Sequence, residues 1–202
     1  MSLNLFSQKD TCTGVFDYTT QKAIHEDSTR IRTCSVINSR IFMNGDLSRN
    51  RREHFDDFSA FSNVESIEGQ LIFLDLYASN NFEGFHRLKA MKGGLLLVNV
   101  EAEGLWGFDS LERVDKEIMI SDSNLETLGD LKKAKGEISV LSIQYNENLK
   151  SLEGLQNIGP DSSWNILAYD INMNPRLESL RGMENMTLSH NGHGFISENE
   201  NL

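Results

Sequence analysis

The chain has 202 residues, 39% of them hydrophobic and 24% charged, which is enough for one sizeable core or one stacked array of repeats. A formal net charge of −11 argues against a nucleic-acid binder, which needs a basic footprint, and against attraction to an anionic membrane surface. No run reaches the roughly 18 apolar residues of a membrane span, and Met1 to Asp10 lacks the basic-then-apolar pattern of a signal peptide.

Residues 1–33 carry no repeat and are expected to form an N-terminal cap. Thr11 to Thr20 is rich in Thr and Gly, and Gln21 to Ile31 has the apolar spacing of a short helix at Ala23, Ile24 and Ile31. Cys34 to Met43 reads as strand, and Asn44-Gly45-Asp46 as the turn that follows. Ser48 to His54 is the only basic cluster; Asp56 and Asp57 follow at once, so a solvated, self-paired loop is expected. Cys12 and Cys34 are too few for a cysteine-rich zinc site. The residues themselves leave two readings open, a pair of buried thiols or one disulfide closing the N-terminal segment.

An array begins at Phe58. Phe58, Phe61, Val64, Ile67, Leu71 and Phe73 are spaced by three, three, three, four and two residues. The same offsets return from Phe82 (to Leu95 and Leu97), from Leu105 (to Ile118 and Ile120) and from Leu125 (to Ile138 and Val140). Partial copies start at Leu149 and Leu177, giving spacings of 24, 23, 20, 24 and 28 residues. That is the length of leucine-rich and β-helical repeats. Within a copy, the apolar residues at every third position suit a tight arc buried on one side, and the pair two apart suits a strand. Gly69, Gly94 and Gly136 stand where the chain would bend into that strand. Asn81, Asn124 and Asn148 directly precede the first apolar residue of their copies and could stack as a ladder at one corner. Neither of the two prolines falls between Phe58 and Ile158, as continuous ladder pairing requires. No copy can bury its own apolar side, so the copies are expected to stack with their strands in parallel. Residues 187–202 are polar and are expected to fray.

This pattern resembles the receptor L domain, a single-stranded right-handed β-helix found in insulin-receptor and epidermal-growth-factor-receptor families and in nematode receptor-like and fungal cell-surface proteins. The resemblance rests on Cys12-Thr13-Gly14, on Thr33-Cys34-Ser35-Val36-Ile37 followed by Ile41-Phe42-Met43, on Val64 to Phe73, and on Asn148 to Ile158. It spans roughly residues 12–186 and departs at Ser39, where the family prefers glycine. The cysteine-rich module that follows L domains in growth-factor receptors is not among these 202 residues, which weakens the expectation of a growth-factor ligand. The resemblance implies a mostly β fold of about six coils, with a cap at 1–33, coils at 34–186 and a tail at 187–202. It also implies a Cys12–Cys34 disulfide, hence an oxidising, extracellular or cell-surface setting, and gives Asn185-Met186-Thr187 weight as an N-glycosylation site.

Enzyme constellations are weak. His190 and His193 have metal-ligand spacing but no further ligands nearby, and His25-Glu26-Asp27 beside Cys34 suggests a Cys/His pair but reads better as surface. Parallel β-helices can hold calcium on aspartates projecting from a sheet; the matching positions are Asp75, Asn99, Asp122 and Ser142, of which two are acidic. No phosphate loop, nucleophile elbow or dinucleotide fingerprint occurs, and no cofactor is expected.

The informative feature is the outer side of the long strands. If the repeat's strand pairs point inward, alternation sends Phe42, Ile72, Leu96, Met119 and Ser139 outward, with Leu74, Val98, Ser121 and Leu141 in the next column. A water-facing sheet should be polar there. An apolar stripe means either a covering segment, drawn from residues 1–30 or the tail, or a binding surface. The expected function is non-enzymatic recognition of a protein or peptide through Phe42, Ile72, Leu74, Leu96, Val98, Met119 and Leu141. A structural role in a cell wall or matrix is the alternative, and a carbohydrate-active β-helix a third.

Overall fold

A computed structural model describes residues 10–45, 53–79, 82–159 and 166–202. Residues 48–52 of the basic cluster, Asp46 of the expected turn, and Asn81 lie outside the described residues.

The chain begins with strands β1 (Thr11–Cys12) and β2 (Asp17–Tyr18) and enters helix α1 (Gln21–Ile31). Thr20 caps that helix, its hydroxyl accepting from the Ala23 N–H at 3.2 Å. Ile24 and Ile31 are its buried residues, as the apolar spacing predicts. Cys34 to Met43 folds as two strands, β3 (Val36–Ile37) and β4 (Ile41–Asn44), with a bend between them. Then follow β5 (Glu53–His54), β6 (Ser66–Ile67), β7 (Leu71–Tyr77), β8 (Ala90–Met91), β9 (Leu95–Glu101) and β10 (Arg113–Val114). The last four strands are β11 (Lys116–Ser121), β12 (Ile138–Gln144), β13 (Ile166–Asn172) and β14 (Leu188–Ser197).

These strands make two sheets in which every pairing is parallel. The small sheet runs β1-β3-β6-β8-β10. The large one runs β2-β4-β7-β9-β11-β12-β13-β14, with β5 also paired to β7. Neighbours in each sheet thus follow chain order, and each strand of the small sheet leads across a bend into a strand of the large one. The ladder extends beyond the copies read from sequence on both sides. In particular Leu188–Ser197, expected to fray, pairs along β13 from Leu188 to Ser197.

The residues at every third position form 3₁₀ turns at Ser59–Phe61, Glu83–Phe85 and Gly129–Leu131. Their buried side chains meet those of the strands in one continuous core. Aromatic rings stack from repeat to repeat through it: Phe61 on Phe85 at 5.0 Å, and Phe82 on Phe108 at 5.1 Å between centroids. Close stacking also explains the glycines. A Cβ on Gly84 would stand 1.9 Å from the Phe58 carbonyl oxygen, and one on Gly182 would stand 1.9 Å from that of Leu152. At the bend before the long strands, a Cβ on Gly69 would meet the Ser39 carbonyl oxygen at 2.6 Å. Ser39 itself tolerates a side chain because its hydroxyl turns to donate to the Gly14 carbonyl at 2.7 Å.

The cap is tied down twice. Cys12 and Cys34 form a disulfide with Cα atoms 5.5 Å apart. Asp27, on α1, accepts from Tyr18 at 2.6 Å and from Arg30 at 2.8 Å. Burial alone would raise the Asp27 pKa, but the hydrogen bonds from Arg30 and Tyr18 hold it below the usual carboxylate value. Burial, and then the bond to Asp27, push the Tyr18 phenol up.

Candidate ligand-binding face

Strand register decides which side chains share the outer face of the large sheet. Phe42 lies beside Ile72, Ile72 beside Leu96, and Leu96 beside Met119. Leu74 lies beside Val98 in the next outward row. All six are partly exposed. The residues between them, Met43, Phe73, Leu97 and Ile120, are 0–1% exposed. Alternation therefore puts one set in the core and the other on the surface, as the strand period requires.

Beyond Met119 the observed register differs from the expected one by three residues, which reverses the side each residue faces. Ile118 pairs with Leu141 and Ile120 with Ile143, after a shift between Lys116 and Glu117. Leu141 is consequently fully buried and belongs to the core, not to the binding face. Val140, expected inside, is partly exposed beside Glu117. Ile138 keeps its buried place, so the chain satisfies the core at Ile138 and again at Leu141, three residues on, and strict alternation from Ile138 gives the wrong side. Ser142, not Ser139, continues the Met119 row, and Asp170 and Phe195 follow it. The apolar stripe thus covers four strands and turns polar at the fifth.

One edge of the face is set by a column of left-handed residues. Asp75, Asn99, Asp122, Tyr145, Met173 and Glu198 have φ between 51° and 56°. Aspartate and asparagine tolerate that conformation. The column continues into Tyr145 rather than Ser142, which replaces the fourth position of the expected cation set. Among the described residues, no group of three or more His, Cys, Asp or Glu is placed to hold a metal ion.

Just inside this column runs a buried polar ladder that the apolar pattern does not reveal. The Val100 N–H donates to Ser123 Oγ (3.3 Å), the Ser123 N–H to Asn146 Oδ1 (3.1 Å), the Asn146 N–H to Asn174 Oδ1 (3.1 Å), and the Asn174 N–H to Asn199 Oδ1 (3.0 Å). Asn146, Asn174 and Asn199 each donate from Nδ2 to the carbonyl of Ile120, Ile143 or Ile171. Asparagine stacking at a corner is thus present, but on these residues. Of the expected ones, Asn124 accepts from the Ala102 N–H at 2.7 Å and Asn148 from Arg176 at 3.2 Å. Each ladder asparagine directly follows a left-handed residue, at Tyr145-Asn146, Met173-Asn174 and Glu198-Asn199.

The remaining candidates disperse. His190 and His193 are both exposed on β14. His25 lies 3.3 Å from Asp57, and Cys34, being disulfide-bonded, offers no thiol. Asn185 is exposed, although its amide donates to the Gln156 carbonyl at 2.6 Å, a bond a glycan would alter. No described helix is long and apolar enough to cross a membrane. Neither described part of the expected cover lies over the stripe: α1 packs on β2 and on the turn at Ser59–Phe61, and the C-terminal segment extends the sheet at β14. Comparison with protein-family models, with curated proteins and with solved structures finds no match.

Proposed function

We propose that the chain is an L-domain-like right-handed β-helix whose two parallel sheets are successive walls of its coils. Its role is non-enzymatic recognition of a protein or peptide, outside the cell, through the outer face of the large sheet. The observation that carries this reading is the row Phe42, Ile72, Leu96 and Met119. It is in direct register across four strands and partly exposed, while the alternate row is fully buried. A sheet with no ligand to meet has no reason to keep four large apolar side chains on that row. The Cys12–Cys34 bond is compatible with the oxidising setting this requires.

The test is panning of a phage-displayed random dodecapeptide library on the immobilised protein, with counter-selection on Leu96→Asp and Met119→Asp. Both variants are first checked for the native circular-dichroism spectrum. Clones held by the wild type and released by both variants support the reading. Retained clones that bind the variants equally well would refute it, as would variants that do not fold, since the stripe would then be core.

A further inference from the structure

The charges around the stripe say what kind of peptide it takes. Asp75 accepts from Asn99 Nδ2 at 2.7 Å, Glu117 from Gln70, and Asp170 from Gln144 Nε2 at 2.9 Å. Each of these carboxylates meets a neutral amide. Among the described residues, the one ion pair on this face is Arg40 with Asp17, at 3.4 Å, and the Arg40 guanidinium also lies over the Phe42 ring. Elsewhere the carboxylates do find cations: Glu65 pairs with Arg87, Glu68 with Lys92, and Asp115 with Arg113. Among the described residues, Asp75, Glu117 and Asp170 on the outer face of the large sheet thus have no positive partner.

Two connected depressions extend that asymmetry. One, of about 350 Å³, and another, of about 550 Å³, share Asp122, Tyr145 and Glu147. The larger adds Met173, Glu198 and Glu200 to its walls. No described lysine, arginine or histidine lines either. Tyr145 is 46% exposed between these carboxylates. An aromatic face beside carboxylates attracts an ammonium or guanidinium group through ring and charge together. These depressions lie along the left-handed column, at the edge of the same outer face that bears Met119.

We propose that the occupant of this face is a cationic peptide segment. Its apolar side chains seat on Ile72, Leu96 and Met119. Its lysines or arginines reach Glu117 on one side of the stripe and Asp122, with the Tyr145 depressions, on the other. This rests on the docking role proposed above and adds the partner's charge. The overall −11 draws such a segment in from a distance and repels an acidic one.

The experiment sequences the clones from the panning just described and measures their affinity by fluorescence anisotropy. Counter-selection on Leu96→Asp, which is more acidic than the wild type, removes peptides held by charge alone. The expected result is strong enrichment of Lys and Arg over Asp and Glu in the stripe-dependent clones, relative to the unselected library. Their affinity should fall about tenfold when Asp75→Asn, Glu117→Gln and Asp122→Asn are combined, and similarly in roughly 0.5 M salt. These substitutions preserve the amide hydrogen bonds, and asparagine tolerates the left-handed backbone at 75 and 122. Stripe-dependent clones without cationic enrichment, or clones indifferent to the triple variant, would overturn the charge assignment and leave the docking role standing. An absence of stripe-dependent clones would overturn both.

Discussion

Asn174→Ala is the substitution whose cost follows most directly from the structure. Asn174 is 0% exposed, and its side chain bridges three repeats. Its Oδ1 accepts from the Asn146 N–H, and its Nδ2 donates to the Ile143 carbonyl at 2.9 Å. Asn146 and Ile143 are themselves 0% exposed, so water cannot replace the lost partner. The buried Asn146 N–H is then left unpaired and the Ile143 carbonyl, already paired in the ladder, loses its additional donor, so the expected loss is roughly 1–3 kcal/mol. Equilibrium urea unfolding followed by far-ultraviolet circular dichroism measures it. Asn148→Ala is the control, the same chemical change at a position whose Oδ1 accepts only from the Arg176 side chain among the described hydrogen bonds, with an expected cost within about 0.5 kcal/mol. Equal costs for the two variants would show that the ladder does not hold the repeats together.

Further outcomes follow from the same geometry. Leu141→Ala should destabilise by about 2–5 kcal/mol and Val140→Ala by less than about 1 kcal/mol, in the same urea assay; the reverse order would restore the register expected from strict alternation. Replacing Cys12 and Cys34 together by serine removes a cross-link between residues 22 apart and should cost roughly 3 kcal/mol in the chain-entropy account, provided the comparison is made with the oxidised protein. Asp27 has a lowered pKa in the folded state, so its contribution is present above the usual carboxylate value and disappears as pH falls through the folded one. The melting temperatures of wild type and Asp27→Asn should accordingly differ near neutrality and converge below about pH 4. A gap that persists unchanged into strong acid would mean that Asp27 does not act through its charge.

Much of this architecture is legible in the sequence because burial acts directly on side-chain identity. Phe58, Phe82, Leu105 and their successors must be apolar, and their spacing survives as a visible period. Helix α1 was legible for the same reason, with Ile24 and Ile31 on one face. Three features left no such trace. The shift at the start of β12 is hidden because Ile138, Val140 and Leu141 are all apolar, and composition alone does not show which two enter the core. The asparagine ladder depends on hydrogen bonds across repeats, and those bonds carry no periodic hydropathy. Strand β14, with His190, Gly192, His193 and Gly194, has no apolar alternation; it is a strand because β13 offers it a parallel edge. The stripe on the outer face was legible only as far as the register was right, which is why Leu141 leaves it and the first six residues stay.

Leu96 and Leu97 are adjacent in chain and opposite in environment, and comparing Leu96→Asp with Leu97→Asp tests the account most directly. Leu97 is 0% exposed, and an aspartate there would be a buried, unpaired charge that the fold cannot hold. Leu96→Asp should remain folded, losing only about 1–2 kcal/mol for a polar residue in a strand, or a few degrees of melting temperature. Retention of a cooperative melt by Leu96→Asp and its loss in Leu97→Asp is the result expected of a free, ligand-facing stripe. If Leu96→Asp unfolds as completely as Leu97→Asp, the stripe is covered core and the binding face does not exist.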